Sequence, residues 1–219
     1  RGAAVTRYEL TNAPSATVTS TFAPPRPTAM IEQSTAQSDP TTEPTAVFDV
    51  TFSEAVTGLD AGVLVVGGTA GATTVALAGS GASYVATVTG ATRPGSITLA
   101  MGEGAATSRF DEPSLAATSV DASVAFEPRS PTVAVTLADG QDATTATSSA
   151  AFQLIFSEPV TGLEVDDLVV DSTAGGQASI EGSDDGTTFV VRITSLERAG
   201  TVTVSVRAGA VENAYGLDN

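Results

Sequence analysis

Apolar side chains fall at every second position through much of this chain, and the pattern occurs twice. Phe48, Val50 and Phe52 alternate with polar neighbours in one place, and Phe152, Leu154 and Phe156 in another. Such alternation describes strands with one buried face. Each run leads into nearly the same phrase, Phe52-Ser-Glu-Ala-Val-Thr-Gly-Leu59 and Phe156-Ser-Glu-Pro-Val-Thr-Gly-Leu163, at an offset of 104 residues (156 minus 52). The Thr-Gly pair takes the chain out of the strand through a turn. A repeat of this length is too long for a solenoid unit and suits a whole β domain.

The rest of the pattern follows the same offset. Strands are predicted over 28–31 and 132–137, with polar loops at 32–44 and 138–149. Short apolar runs follow the landmark phrases at 63–66 and 168–170. The stretches 72–78 and 177–181 read as hairpin partners of strands at 84–88 and 189–193. Ile97, Leu99 and Met101 alternate as Val202, Val204 and Val206 do, and Phe110 aligns with Tyr215. In the first repeat Val120, Ala122, Val124 and Phe126 read as a closing strand. The sequence ends at Asn219 without a second copy of it.

Two proline-containing linkers, 23–27 and 127–131, precede the first strands and hold the chain extended. They divide it into a terminal strand segment at 1–22, a repeat at 23–127 and a repeat at 128–219. Within 1–22, Arg7-Tyr8-Glu9 aligns with Arg109-Phe110-Asp111 and Val18 with Val120. The segment reads as the last strand of a preceding repeat or as a donor strand, and the chain as a piece of something longer.

Composition narrows the function. There are 25 acidic residues against nine basic ones, a net charge of −16. That balance disfavours nucleic acid and anionic membrane surfaces, and no run approaches the ~20 apolar residues of a membrane span. Cysteine and histidine are absent, which removes disulfides, thiol chemistry and the usual proton shuttle. The basic residues are all arginine, so no serine has a histidine or lysine to activate it. The chain is expected not to be an enzyme.

These residues resemble the bacterial immunoglobulin-like repeat family. The resemblance rests on the Phe-Ser-Glu-Pro-Val-Thr-Gly-Leu phrase and on Val202-Thr-Val-Ser-Val-Arg-Ala-Gly-Ala-Val-Glu-Asn-Ala-Tyr-Gly216. The first repeat departs from it, with Ala55 in place of the proline and no Asn-Ala-x-Gly tail over 102–109. The resemblance covers about residues 23–219. It implies an all-β fold of tandem immunoglobulin-like sandwiches, a place on the cell surface and a structural or adhesive role without catalysis.

Candidate sites are few. Glu54 and Glu158 recur at the strand exit, as cation ligands or interdomain contacts on one reading and as acceptors for turn amides on the other. Asp166, Asp167 and Asp171 cluster in the second repeat, with Ca²⁺ the candidate ligand and no cofactor required; their spacing is not that of an EF-hand loop. The unfinished second repeat suggests partners. Either the sequence is a window on a longer array of neighbouring repeats, or another copy adds a strand, with Val18, Ser20 and Phe22 in the empty inward positions. The expected function is thus an extracellular stalk or filament building block. A head-to-tail strand-exchanged filament subunit is the alternative, and a glycan- or surface-binding module with exposed loop aromatics is the alternative of another class.

Overall fold

The computed structural model describes residues 18–182 and 184–219. Most of the terminal segment 1–22, including the Arg7-Tyr8-Glu9 match, lies outside the described residues. In chain order the strands are β1 (Ala29–Gln33), β2 (Thr45–Val56), β3 (Leu64–Gly67), β4 (Thr74–Thr89), β5 (Gly95–Met101), β6 (Ser123–Phe126), β7 (Val133–Leu137), β8 (Ser149–Phe156), β9 (Leu168–Ser172), β10 (Gln177–Gly182), β11 (Thr188–Thr194) and β12 (Val202–Val206). Two single-turn 3-10 helices, Ala61–Val63 and Val165–Asp167, stand before β3 and β9. The fold is all-β, and the strand pairs are antiparallel.

Two hydrophobic clusters form. In the first, the sheet β1-β2-β4 faces the sheet β3-β5-β6. Phe48 and Val50 of β2, Val88 of β4, Ile97 of β5 and Val124 and Phe126 of β6 meet in its interior, all fully buried. These residues occupy alternate positions, as period-two packing between two sheets requires. In the second, the sheet β10-β11-β8-β7 faces the pair β12-β9 around Leu154, Phe156, Leu168, Val191 and Ile193. The expected hairpin of the second half is present as β10 against β11.

The closing strand differs from its predicted form. Val124 and Phe126 point inward, but Val120 is 96% exposed. The reason lies in the preceding segment. Ile31 N–H donates to Thr118 O at 3.0 Å and Thr118 N–H to Ala29 O at 2.9 Å, so the chain first runs along β1. The Glu32 carboxylate then accepts the N–H groups of Val120 and Asp121, each at 2.8 Å. This clamp turns Val120 outward before the chain crosses to β5. The strand therefore buries Val124 and Phe126 in the core and leaves Val120 outside it.

Candidate functional site

The two phrases most diagnostic of the repeat are opposite sides of one backbone bridge. At the exit of β8, Thr161 N–H donates to Glu212 O at 3.0 Å and Glu212 N–H to Thr161 O at 3.1 Å. In the first half Thr57 and Thr107 make the same exchange, both bonds at 2.9 Å. A turn at the strand exit is thus tied to the tail that follows the last core strand.

Each tail is wound around a buried polar side chain. Asn213 Oδ1 accepts from the N–H groups of Tyr215 and Leu217, both at 3.0 Å, while its Nδ2 donates to Arg129 O at 3.0 Å. The same amide donates to Glu158 Oε1 at 3.3 Å. Glu158 therefore accepts from the tail's own amide side chain, rather than from the turn amides expected. In the first half Ser108 Oγ accepts from Phe110 N–H at 3.1 Å and Glu112 N–H at 3.3 Å. Serine does there what asparagine does here, although the phrase around it has diverged.

This winding aims one aromatic ring out of each tail. Tyr215 meets Phe126 edge to face, with ring centroids 5.2 Å apart and an interplanar angle of 79°. Phe126 belongs to the first core and Tyr215 to the second half, so the contact joins them. One repeat earlier Phe110 meets Phe22 in the same manner, at 5.5 Å and 69°. The offset between Phe22 and Phe126 is 104 and that between Phe110 and Tyr215 is 105, so the two contacts are one joint seen twice. Prolines fix its start. Pro27 is fully buried, and Arg26 holds the linker by donating to the carbonyls of Pro113 at 2.8 Å and Ser114 at 2.9 Å.

The second notable feature is a groove of about 650 Å³ on the second half. Leu137, Thr145, Phe152, Leu196, Gly200 and Val202 are among its lining residues. In the first half the corresponding space holds β6. Phe126 there is paired with Gly95 of β5 on one side and bridged to Thr41 on the other. Gly200 and Thr145 are the counterparts of those two positions, and among the described residues no strand lies between them. β12 pairs with β9 alone, whereas β5 lies between β3 and β6. Phe152, Val202 and Val204 are consequently half-buried, where their counterparts Phe48, Ile97 and Leu99 are buried.

The predicted donor positions are solvent-facing. Val18 is 93% and Phe22 76% exposed, Ser20 is exposed as well, and residues 18–22 pair with no strand. The linker offset aligns Phe22 with Phe126, Ser20 with Val124 and Val18 with Ala122, in place of the expected match to Val120.

The acidic residues are not brought together as a set. Asp167 Oδ2 accepts from Glu164 N–H at 2.8 Å in a reciprocal capping box at the 3-10 turn. Asp166 uses its backbone carbonyl to accept from Arg207 Nη1. Asp171 lies on β9 opposite Thr203. Among the described residues no three acidic side chains are grouped to hold a metal ion. The acid-rich start of this turn reflects capping, as at Asp60, whose side chain accepts from Gly62 N–H at 2.8 Å.

Sequence reasoning did not find the joint or the Asn213 hub as such. Period two assigns a phenylalanine to a core without saying which neighbour it meets. The available signal was the register of Phe110 with Tyr215.

Among the described residues no helix is long and apolar enough to cross a membrane. A search of the curated proteins finds no match to the chain. Residues 127–219 match the family described as bacterial Ig-like domain. This stretch, which is similar to a bacterial Ig-like domain, carries the Asn213 hub, Tyr215 and the residues lining the groove.

Proposed function

We propose that the chain is a non-catalytic spacer of an extracellular bacterial surface protein, with residues 23–127 forming a second unit of the same type as 128–219. The observation that carries this reading is the recurrent aromatic joint. Flexibly strung domains would have no reason to place an aromatic ring at equivalent points of two successive connections. A ring that belongs to one core while touching the next unit couples their orientations, which suits a stalk bearing load or holding a distal element away from a surface. Proline-containing linkers of few residues add stiffness in the same direction.

The chemistry supports a passive role. With no histidine, lysine or cysteine in the sequence, the numerous serines and threonines lack an activating base. A glycan-binding role draws less support, because the exposed rings Phe22 and Phe110 face one another rather than a shared platform. The high negative charge keeps such a surface soluble and resists self-adhesion along its sides.

Small-angle scattering of the chain and of Tyr215→Ala tests the spacer reading. The wild-type profile is expected to fit one extended particle of fixed shape, and that of the variant an ensemble of angles. Equal flexibility in both would leave the joint without mechanical meaning.

A further inference from the structure

We propose, building on that reading, that bending between the two halves is confined to Pro128, because the rest of the linker is locked to the second half and travels with it. Hydrogen bonds mark the limits of the hinge. On one side Phe126 is buried in the first core, and Glu127 N–H donates to Thr41 O at 2.8 Å, so Glu127 is still held by the first half. On the other side Arg129 O accepts from Asn213 Nδ2 at 3.0 Å, and Asn213 is itself buried in the second half. Pro131 is buried in turn, and Thr132 N–H donates to Ser157 Oγ at 3.0 Å while Ser157 N–H donates to Thr132 O at 2.9 Å. Ser130 is thus bracketed by anchored neighbours, and Pro128 alone separates the last bond to one half from the first bond to the other. Proline fixes its own φ and holds the preceding Glu127 extended. The free rotations are therefore Pro128 ψ and Arg129 φ. The same asparagine that anchors the linker accepts from Tyr215 N–H at 3.0 Å, so one side chain sets both the length of the hinge and the ring that closes it.

The first half anchors its own linker in the same place with a different donor. There Arg26 of the linker reaches to the tail, giving hydrogen bonds to Pro113 O at 2.8 Å and Ser114 O at 2.9 Å, and the following Pro27 is buried. Arg26 aligns with Ser130 at an offset of 104, and Ser108 with Asn213 at 105. Ser108 Oγ accepts the tail amides of Phe110 and Glu112, as Asn213 Oδ1 does for its own tail, but a hydroxyl has no amide group to extend to the linker. Ser130 in turn lacks the guanidinium of Arg26. The donor therefore sits on the linker in one half and on the tail in the other, while the attachment of linker to following tail is kept. Two unrelated side chains serving one attachment mark it as the feature that matters.

The absence of cysteine permits a direct test in the full chain. Spin labels at Thr51→Cys in β2 and Ser205→Cys in β12, both exposed, read the distribution of distances between the halves by pulsed electron spin resonance. The linker variants are compared with Tyr215→Ala present, so that the ring no longer closes the hinge. Pro128→Gly should broaden the distribution further, and Ser130→Gly should leave it unchanged. Asn213→Asp with Glu158→Gln removes the donor to Arg129 O, keeps an acceptor for the tail amides and avoids two facing carboxylates. In that setting Ser130→Gly should broaden the distribution too, and Ser130→Arg should narrow it by supplying a donor of the Arg26 kind. Equal broadening by Pro128→Gly and Ser130→Gly, or none by Pro128→Gly, would overturn the proposal, and this comparison needs no change to the Asn213 hub. The spacer reading is judged separately, by the wild type against Tyr215→Ala alone. If those two are equally broad that reading fails, while the order of the two glycine variants still decides the hinge.

Discussion

The ring of Tyr215 stands edge-on to that of Phe126 at 5.2 Å, and this residue of the second half packs against the first core. Phe126 is fully buried among side chains of the first half, whereas Tyr215 projects from a tail loop of the second. A bulky residue at the end of a closing strand thereby finishes one interior and begins the contact with the next unit.

This asymmetry separates two substitutions. Phe126→Ala removes a large side chain from a close-packed core and should destabilise the first half by about 3–5 kcal/mol. Tyr215→Ala removes a half-buried ring and should cost only about 1 kcal/mol, mostly the aromatic pair. Urea unfolding followed by amide NMR signals of each half reads both. Comparable losses would mean that Tyr215 is as much a core residue as Phe126.

The tail hub gives a second prediction. Asn213→Ala leaves the N–H groups of Tyr215 and Leu217 without their acceptor and should destabilise the second half by about 1–3 kcal/mol. Ser108→Ala should act in the same direction on the first half, and Asn213→Ser should retain part of the effect because serine fills this role at 108. Hydrogen exchange at residues 215 and 217 reports the loss locally. Unchanged protection in Asn213→Ala would remove the hub from the account.

The acidic turn gives a third. Asp167→Ala loses a cap and should destabilise the second half by about 0.5–2 kcal/mol. Asp166→Ala should fall within about 0.5 kcal/mol of wild type, as exposed surface changes usually do. Thermal melts with calcium and with a chelator should give the same differences. A calcium-dependent gap between wild type and either variant would instead make Asp166, Asp167 and Asp171 a ligand set.

Much of this architecture is legible in alternation alone. The strands at Phe48–Phe52 and Phe152–Phe156, the runs Ile97–Met101 and Val202–Val206, and the missing counterpart of β6 follow from period two and one offset. Val120 misleads because it continues the alternation of Val124 and Phe126 backward. What turns it outward is a long-range clamp from Glu32, which no local pattern encodes. At Asp166, Asp167 and Asp171 the sequence leaves two roles open, because a capping carboxylate and a metal ligand are the same residue type; the bond from Glu164 N–H gives Asp167 the capping one. The aromatic joint requires knowing which ring faces which, and that follows from the tail's winding around Asn213.

The open edge predicts unequal melting. Among the described residues the first core buries nineteen apolar side chains and the second seven. The counterparts of Val124 and Phe126 alone would add about 3–6 kcal/mol at ~1.5–3 kcal/mol each. Calorimetry of the dilute chain should show the second half unfolding first, and Phe126→Ala should draw the two transitions together. A single transition insensitive to that change would mean that the halves do not unfold as separate units.

In the proposed spacer the joint of Tyr215 and Phe126 fixes one half against the other. Residual dipolar couplings of backbone amides in weakly aligned, dilute chain measure this directly. A single alignment tensor should fit both halves of the wild type, and Tyr215→Ala should require two tensors of different magnitude. Two independent tensors in the wild type would contradict the account and make the chain a flexible string.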